Sequence, residues 1–127
     1  MSSSRSLSIL LVEDNVANQL VATAYLARAG HRIDVASNGL EAIDRFHASN
    51  YDLVLMDLQM PAINGLECAR LIRTGKHNSS VPIFAMTANV LRREQRRCRD
   101  AGMNAYFAKP IVWDELLDRI SKLDDAA

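Results

Sequence analysis

Short apolar runs alternate with longer stretches of helical period from one end of the chain to the other. Ile9-Leu-Leu-Val12 is continuously apolar and stops at Glu13-Asp14, as a strand covered on both faces does. Asn15 is placed to cap a helix in which the apolar positions Val16, Leu20, Ala24 and Ala27 recur at helical spacing. Gly30 follows as a left-handed stop, and His31 to Ala36 reads as a second strand with Ile33 and Val35 alternating. Asn38 with Glu41 has capping-box spacing. Asn38-Gly39 is also a hairpin-turn dipeptide, but the period of Leu40, Ile43 and His47, with Ala42 and Phe46 beside it, decides for a helix.

The same alternation continues to the end. Leu53-Val-Leu-Met56 is a third strand that breaks off at Asp57, and Pro61 marks a loop. Asn64 with Glu67 repeats the capping spacing ahead of Leu66, Ala69 and Ile72. After the polar connection Gly75 to Ser80, Val81 to Met86 is a fourth strand ending at Thr87, with Pro82 tolerated at its start. A helix rich in arginine spans Leu91 to Gly102, and Ala105-Tyr-Phe-Ala108 is a short fifth strand ending at Lys109-Pro110. A last helix carries Leu116, Ile120 and Leu123, with Val112 as a poor residue at its cap. Five strands alternating with five helices imply an α/β domain, a parallel sheet covered on both faces and joined by right-handed crossovers. One domain fills residues 7–124, with tails at 1–6 and 125–127.

Composition narrows the function. A chain of 127 residues is one domain with room for a real core, and 49% hydrophobic against 24% charged residues argues for a folded protein. Fifteen basic side chains balance fifteen acidic ones, so no global field recruits nucleic acid or an anionic membrane. Cys68 and Cys98 are too few for a disulfide framework and read as buried thiols. His31, His47 and His77 lie far apart along the chain, so a zinc site has no obvious ligands. The absence of a signal-peptide or membrane-spanning run points to a cytoplasmic protein.

The chemistry stands where the strands stop. Glu13-Asp14, Asp57, Thr87 and Lys109 end four of the five strands, and in a parallel sheet those ends share one edge. That edge is where open α/β sheets bind ligands. Taken singly, each residue has an ordinary explanation: Asp14 as a helix cap, Asp57 as a loop cap, Thr87 on a loop amide, Lys109 as surface charge. Together, three carboxylates repel unless a cation intervenes. Hard oxygen donors of this kind suit Mg²⁺, which keeps several waters and takes one or two carboxylates plus a phosphate oxygen. A lysine and a hydroxyl suit the remaining phosphoryl oxygens.

With these residues in place the sequence resembles the receiver domain of two-component response regulators. The matching stretches are Leu11-Val-Glu-Asp-Asn15, Met56-Asp-Leu-Gln-Met-Pro61 with Gly65, Met86-Thr-Ala88 and Tyr106-Phe-Ala-Lys-Pro110, which together span nearly the whole chain. The resemblance implies the flavodoxin-like receiver fold with strand order 2-1-3-4-5, an order that the handedness and period alone do not supply. It implies Asp57 as phosphoacceptor, and Asp14 and Asp57 as direct Mg²⁺ ligands with the backbone carbonyl of Gln59. Glu13, where many members have Asp, would act mostly through water. It further implies Thr87 and Lys109 as the phosphoryl-binding pair and Tyr106 as an aromatic switch, with small Ala88 leaving room for the phosphoryl group. A cis Lys109–Pro110 bond also belongs to the pattern.

The implied function is signalling. A histidine kinase or a histidine phosphotransfer domain would donate a phosphoryl group to Asp57, and the helix4–strand5–helix5 face would carry the signal. Apart from this transfer and slow autodephosphorylation, with Gln59 and Asn89 beside the attacking water, no enzyme activity is implied. An aspartyl-phosphate phosphatase of the haloacid dehalogenase type needs a second Asp two residues after the nucleophile, where this chain has Gln59. A phosphorylation-dead module of the same fold is disfavoured by the complete residue set, and a flavin binder by the anionic Glu13-Asp14-Asn15 loop. The wording around Val12–Gln19 and Ala85–Asn89 resembles receivers attached to hybrid sensor kinases. Arg92, Arg93, Arg96, Arg97 and Arg99 form either a solvated face or a docking surface for an acidic partner.

Overall fold

Each apolar run becomes a strand because helices cover it on both sides. The computed structural model describes residues 6–60, 64–89 and 91–125, so Pro61 lies outside the described residues. The elements run β1 (Ser8–Val12), α1 (Val16–Arg28), β2 (Arg32–Ala36), α2 (Gly39–Ala48), β3 (Leu53–Asp57), α3 (Gly65–Thr74), β4 (Ile83–Thr87), α4 (Arg92–Asp100), β5 (Ala105–Ala108) and α5 (Trp113–Asp125). All pairings are parallel and the order is β2-β1-β3-β4-β5, which is the expected flavodoxin-like receiver arrangement.

The two-residue period of the strands sorts the core into two layers. Leu10 and Val12 of β1, with Val54 and Met56 of β3 and Ile83 and Ala85 of β4, pack under α2, α3 and α4 against Phe46, Ala69, Ile72 and Cys98. Ile9 and Leu11, with Leu53, Leu55, Phe84 and Met86, pack on the other side against Ala22, Leu26, Leu116 and Ile120 of α1 and α5. Full burial of each such Leu, Ile or Phe contributes roughly 1.5–3 kcal/mol. Both cysteines are free and buried, and desolvation pushes the Cys68 thiol up to about 12.

The three asparagine caps form as their spacing predicts. Asn15 Oδ1 accepts from the Asn18 amide at 2.9 Å, Asn38 Oδ1 from Glu41 at 2.8 Å and Asn64 Oδ1 from Glu67 at 2.9 Å. Gly30 adopts φ of 97°, the left-handed stop. Val112 precedes α5 and its carbonyl accepts from Glu115 and Leu116.

One reading needs correction. Val16, Leu20, Ala24 and Ala27 all face outward; α1 buries Ala22 and Leu26 instead. Both stripes have helical spacing, and only the sheet decides which one is covered. His47 and His77, far apart along the chain as expected, nonetheless meet across the fold, with ring centres 5.9 Å apart. Strand limits also shift slightly, β2 beginning at Arg32 and β4 running Ile83–Thr87.

Gly65 fixes how close α3 comes to the end of β3. A Cβ there would stand 2.5 Å from the Asp57 carbonyl oxygen and 2.8 Å from the Leu58 Cα, both rigid backbone. Gly65→Ala is therefore expected to destabilise the protein by about 1–3 kcal/mol, as overpacking does. The urea midpoint of the variant against that of the parent checks this.

Candidate functional site

The order β2-β1-β3-β4-β5 places β1 beside β3, at the point where the strand order reverses. Val12 pairs with Met56, so the residues that follow, Glu13 and Asp14 on one strand and Asp57 on the other, leave the sheet side by side. Ligand oxygens of Glu13, Asp14 and Asp57 all lie within 4.8 Å of one another. Glu13 and Asp57 are buried, and Asp14 is exposed.

Lys109 reaches this cluster from the end of β5. Its Nζ stands 3.1 Å from Asp57 Oδ2 and 3.4 Å from Glu13 Oε1. The Lys109–Pro110 bond is cis, as expected. Burial works to lower the Lys109 pKa, but the hydrogen bond and charge of Asp57, joined by Glu13, outweigh it and hold the ammonium above its usual range. Glu13 is raised above the usual carboxylate range. Desolvation is the main cause and the Asp57 charge adds to it, against the Asn15 amide and Lys109.

Backbone groups hold the remaining geometry. Asp57 Oδ1 accepts from the Gln59 amide at 3.0 Å, and Glu13 Oε2 accepts from the Asn15 amide at 3.2 Å. Gln19, which the strand-end pattern does not reveal, donates to the Glu13 carbonyl at 2.6 Å and to Ser37 Oγ at 3.2 Å. It ties the acidic turn to the loop after β2, and only its position one turn into α1 hints at this.

Thr87 ends β4, one residue beyond the Met86 that pairs with Asp57. It is buried, but its hydroxyl turns to its own loop, accepting from the Asn89 amide at 3.0 Å. Asn89 Oδ1 in turn accepts from the Leu91 amide at 3.1 Å, just before α4, whose cap has no side-chain hydrogen bond. Tyr106 pairs in register with Ala85 and packs partly buried against the core layer under α2, α3 and α4. The structure therefore gathers Glu13, Asp14, Asp57 and Lys109, and sets Thr87 and Tyr106 on the adjoining strands.

Beside the cluster, α1 and the start of α5 form a groove of about 590 Å³ whose lining includes Glu13, Val21, Tyr25, Lys109 and Trp113. The Tyr25 and Trp113 rings stack at 5.1 Å. The exposed apolar side chains Val16, Leu20 and Val21 belong to the same helix α1.

The donor set is hard, anionic and oxygen-only, and the neighbouring Lys109 ammonium is shared between two carboxylates. It fits a Mg²⁺ ion better than a transition metal. The raised Glu13 gives a pH signature. A carboxyl group raised on folding contributes stability that is complete below its unfolded value, about 4.3, and is lost as pH rises through the folded one. The metal-free protein is thus expected to lose stability across that window, and Glu13→Gln to flatten the loss. Urea midpoints of both proteins measured against pH check it.

Comparison with known proteins agrees with this geometry. Residues 9–121 match the response regulator receiver domain family. The chain is 39% identical to Histidine kinase 5 of Arabidopsis thaliana over 85% of its own length, and 35% identical to the sensor protein EvgS of Escherichia coli K12 over 95%. It spans only 14% and 10% of those proteins. Among solved structures, it is 38% identical to the receiver domain of the sensor histidine kinase PA1611 from Pseudomonas aeruginosa, which holds magnesium in its active site cleft. That likeness has a TM-score of 0.86 and covers 94% of this chain and 98% of that one. The co-crystal structure of the Saccharomyces cerevisiae phosphotransfer protein Ypd1 with the receiver domain of Ssk1 matches at 29% identity and a TM-score of 0.86, over 94% of this chain and 90% of that one. With its strand order, its acidic cluster and its lysine all in place, the chain belongs to the family of response regulator receiver domains.

Proposed function

We propose that this receiver takes a phosphoryl group from a phosphohistidine onto Asp57, and that Glu13, Asp14, Asp57 and the Gln59 carbonyl hold the Mg²⁺ that the transfer needs. The observation that carries the reading is the placement of Asp57 between two other carboxylates and the Lys109 ammonium. The donor is a histidine kinase or a histidine phosphotransfer domain, and the working unit is the domain over 7–124 in the cytoplasm. The likeness to receivers of histidine kinases, and to a receiver solved with a phosphotransfer protein, supports a place in a phosphorelay. The apolar groove between α1 and α5 opens beside the acidic cluster, on the side from which a protein donor can cover the site.

In the transfer, a carboxylate oxygen of Asp57 attacks phosphorus in line. The O–P bond forms as the P–N bond breaks, and the imidazole leaves with the electron pair. Bound Mg²⁺ supplies charge neutralisation between the anionic nucleophile and the phosphoryl oxygens. Lys109 moves its hydrogen bond from Asp57 to a phosphoryl oxygen, where its raised pKa keeps it charged. The Thr87 hydroxyl leaves the Asn89 amide to bind another phosphoryl oxygen, which vacates space for Tyr106 to turn inward and reshapes the face of α4, β5 and α5. Hydrolysis by water passing Gln59 and Asn89 resets the domain. Acetyl phosphate with Mg²⁺ is expected to label the protein, and Asp57→Asn or a chelator to abolish the label, read by intact-mass spectrometry. Equal labelling of parent and variant contradicts the assignment.

The arginines of α4 are exposed, and among the described residues only Arg97 forms an ion pair on the helix, with Glu94 at 3.6 Å. We take this helix as the docking face for an acidic partner, set at the switching surface. Arg92→Glu with Arg96→Glu is expected to weaken partner binding, and added salt to weaken the parent in the same direction. Affinity that ignores both changes makes the arginines a solvated face.

A further inference from the structure

We propose that His47 and His77 form a surface site for a borderline divalent transition ion such as Zn²⁺, at the sheet edge opposite the acidic cluster. His47 lies in the last turn of α2, and His77 in the connection between α3 and β4. Their ring centres are 5.9 Å apart with planes tilted by 35°. Metal–nitrogen bonds of about 2.0–2.1 Å put two imidazoles on one ion with centres roughly 5–6 Å apart.

Hydrogen bonds set both rings in ligating form. The His47 Nδ1 stands 2.9 Å from the Ile43 carbonyl and the His77 Nε2 stands 2.9 Å from the Ser49 carbonyl. A carbonyl only accepts, so those two nitrogens carry the protons. Nε2 of His47 and Nδ1 of His77 then keep free lone pairs. A backbone carbonyl on the opposite nitrogen is the usual partner of a metal-bound histidine, because it fixes the tautomer and raises ligand basicity. The Phe46 ring steadies both, edge-on to His47 at 5.9 Å and to His77 at 5.5 Å.

One electrostatic feature favours a cation at the pair, against the exposed Lys76 next to His77. The carboxyl end of α2 carries the negative end of the helix dipole. Arg45, two residues before His47, leans back to Glu41 at 4.0 Å. No third side-chain ligand joins the pair among the described residues, so water fills the remaining positions and the ion exchanges readily. The five residues of β3 hold this site roughly 17 Å from the Asp57 end, which keeps it distinct from the Mg²⁺ cluster. The ion would clamp the end of α2 to the segment leading into β4.

The test is a Zn²⁺ titration with Mg²⁺ present at saturation, followed by nitrogen chemical shifts of the histidine rings and by calorimetry. His47 Nε2 and His77 Nδ1 are expected to shift together and saturate at one equivalent. His47→Ala and His77→Ala, checked for native circular dichroism, are each expected to weaken binding at least about tenfold, the loss that even outer partners of a metal ligand produce. Both variants are expected to keep acetyl phosphate labelling of Asp57, which separates this site from the phosphoacceptor reading. Independent titration of the two rings, or unchanged Zn²⁺ affinity in either variant, overturns the proposal.

Discussion

Three carboxylates held at one sheet edge repel one another, and the structure is organised around containing that repulsion. Each buried carboxylate carries a desolvation cost of several kcal/mol. Lys109 bridges two of them, and the backbone amides of Gln59 and Asn15 take one oxygen of each. Glu13 still sits above its ordinary range, mainly because it is buried and in smaller part because Asp57 stands beside it. On the proposed function, a divalent cation would offset the remaining negative charge of this cluster.

Containment requires that separate elements be held in register. Gly65 brings α3 against the Asp57 backbone, Gln19 ties the acidic turn to the loop after β2, and parallel pairing aligns Val12 with Met56. On the other side of Asp57 the structure is looser in its loyalties. Among the described residues the Thr87 hydroxyl has only its own loop as partner, and the Asn89 side chain passes that contact to the start of α4. A group with a replaceable local partner can move at small cost. An acidic wall on β1 and β3 thus stands beside a hydroxyl on β4 that has a replaceable local partner, and the proposed switch of the α4–β5–α5 face rests on this asymmetry.

Opposite ends of the same strands do different work. The carboxyl ends gather oxygen ligands and a lysine, while the amino ends gather the carbonyl-anchored histidines beside Phe46. The two proposed ion sites thereby lie about a strand length apart.

The sequence by itself determined the element types, the caps at Asn15, Asn38 and Asn64, and the strand-end positions of Glu13, Asp14, Asp57, Thr87 and Lys109. These rest on local rules: an apolar run ends where a charge appears, and an asparagine caps the turn that follows it. Parallel pairing then sends the strand ends to one edge without further information. The face that α1 buries was not legible, because Val16-Leu20-Ala24-Ala27 and Ala22-Leu26 have equivalent spacing and only contact with the sheet separates them. Gln19 on the Glu13 carbonyl, the Thr87 hydroxyl on Asn89, and the meeting of His47 with His77 were likewise decided by tertiary structure. Each depends on side-chain direction or on contact between distant segments, and neither is carried by the periodicity of a chain.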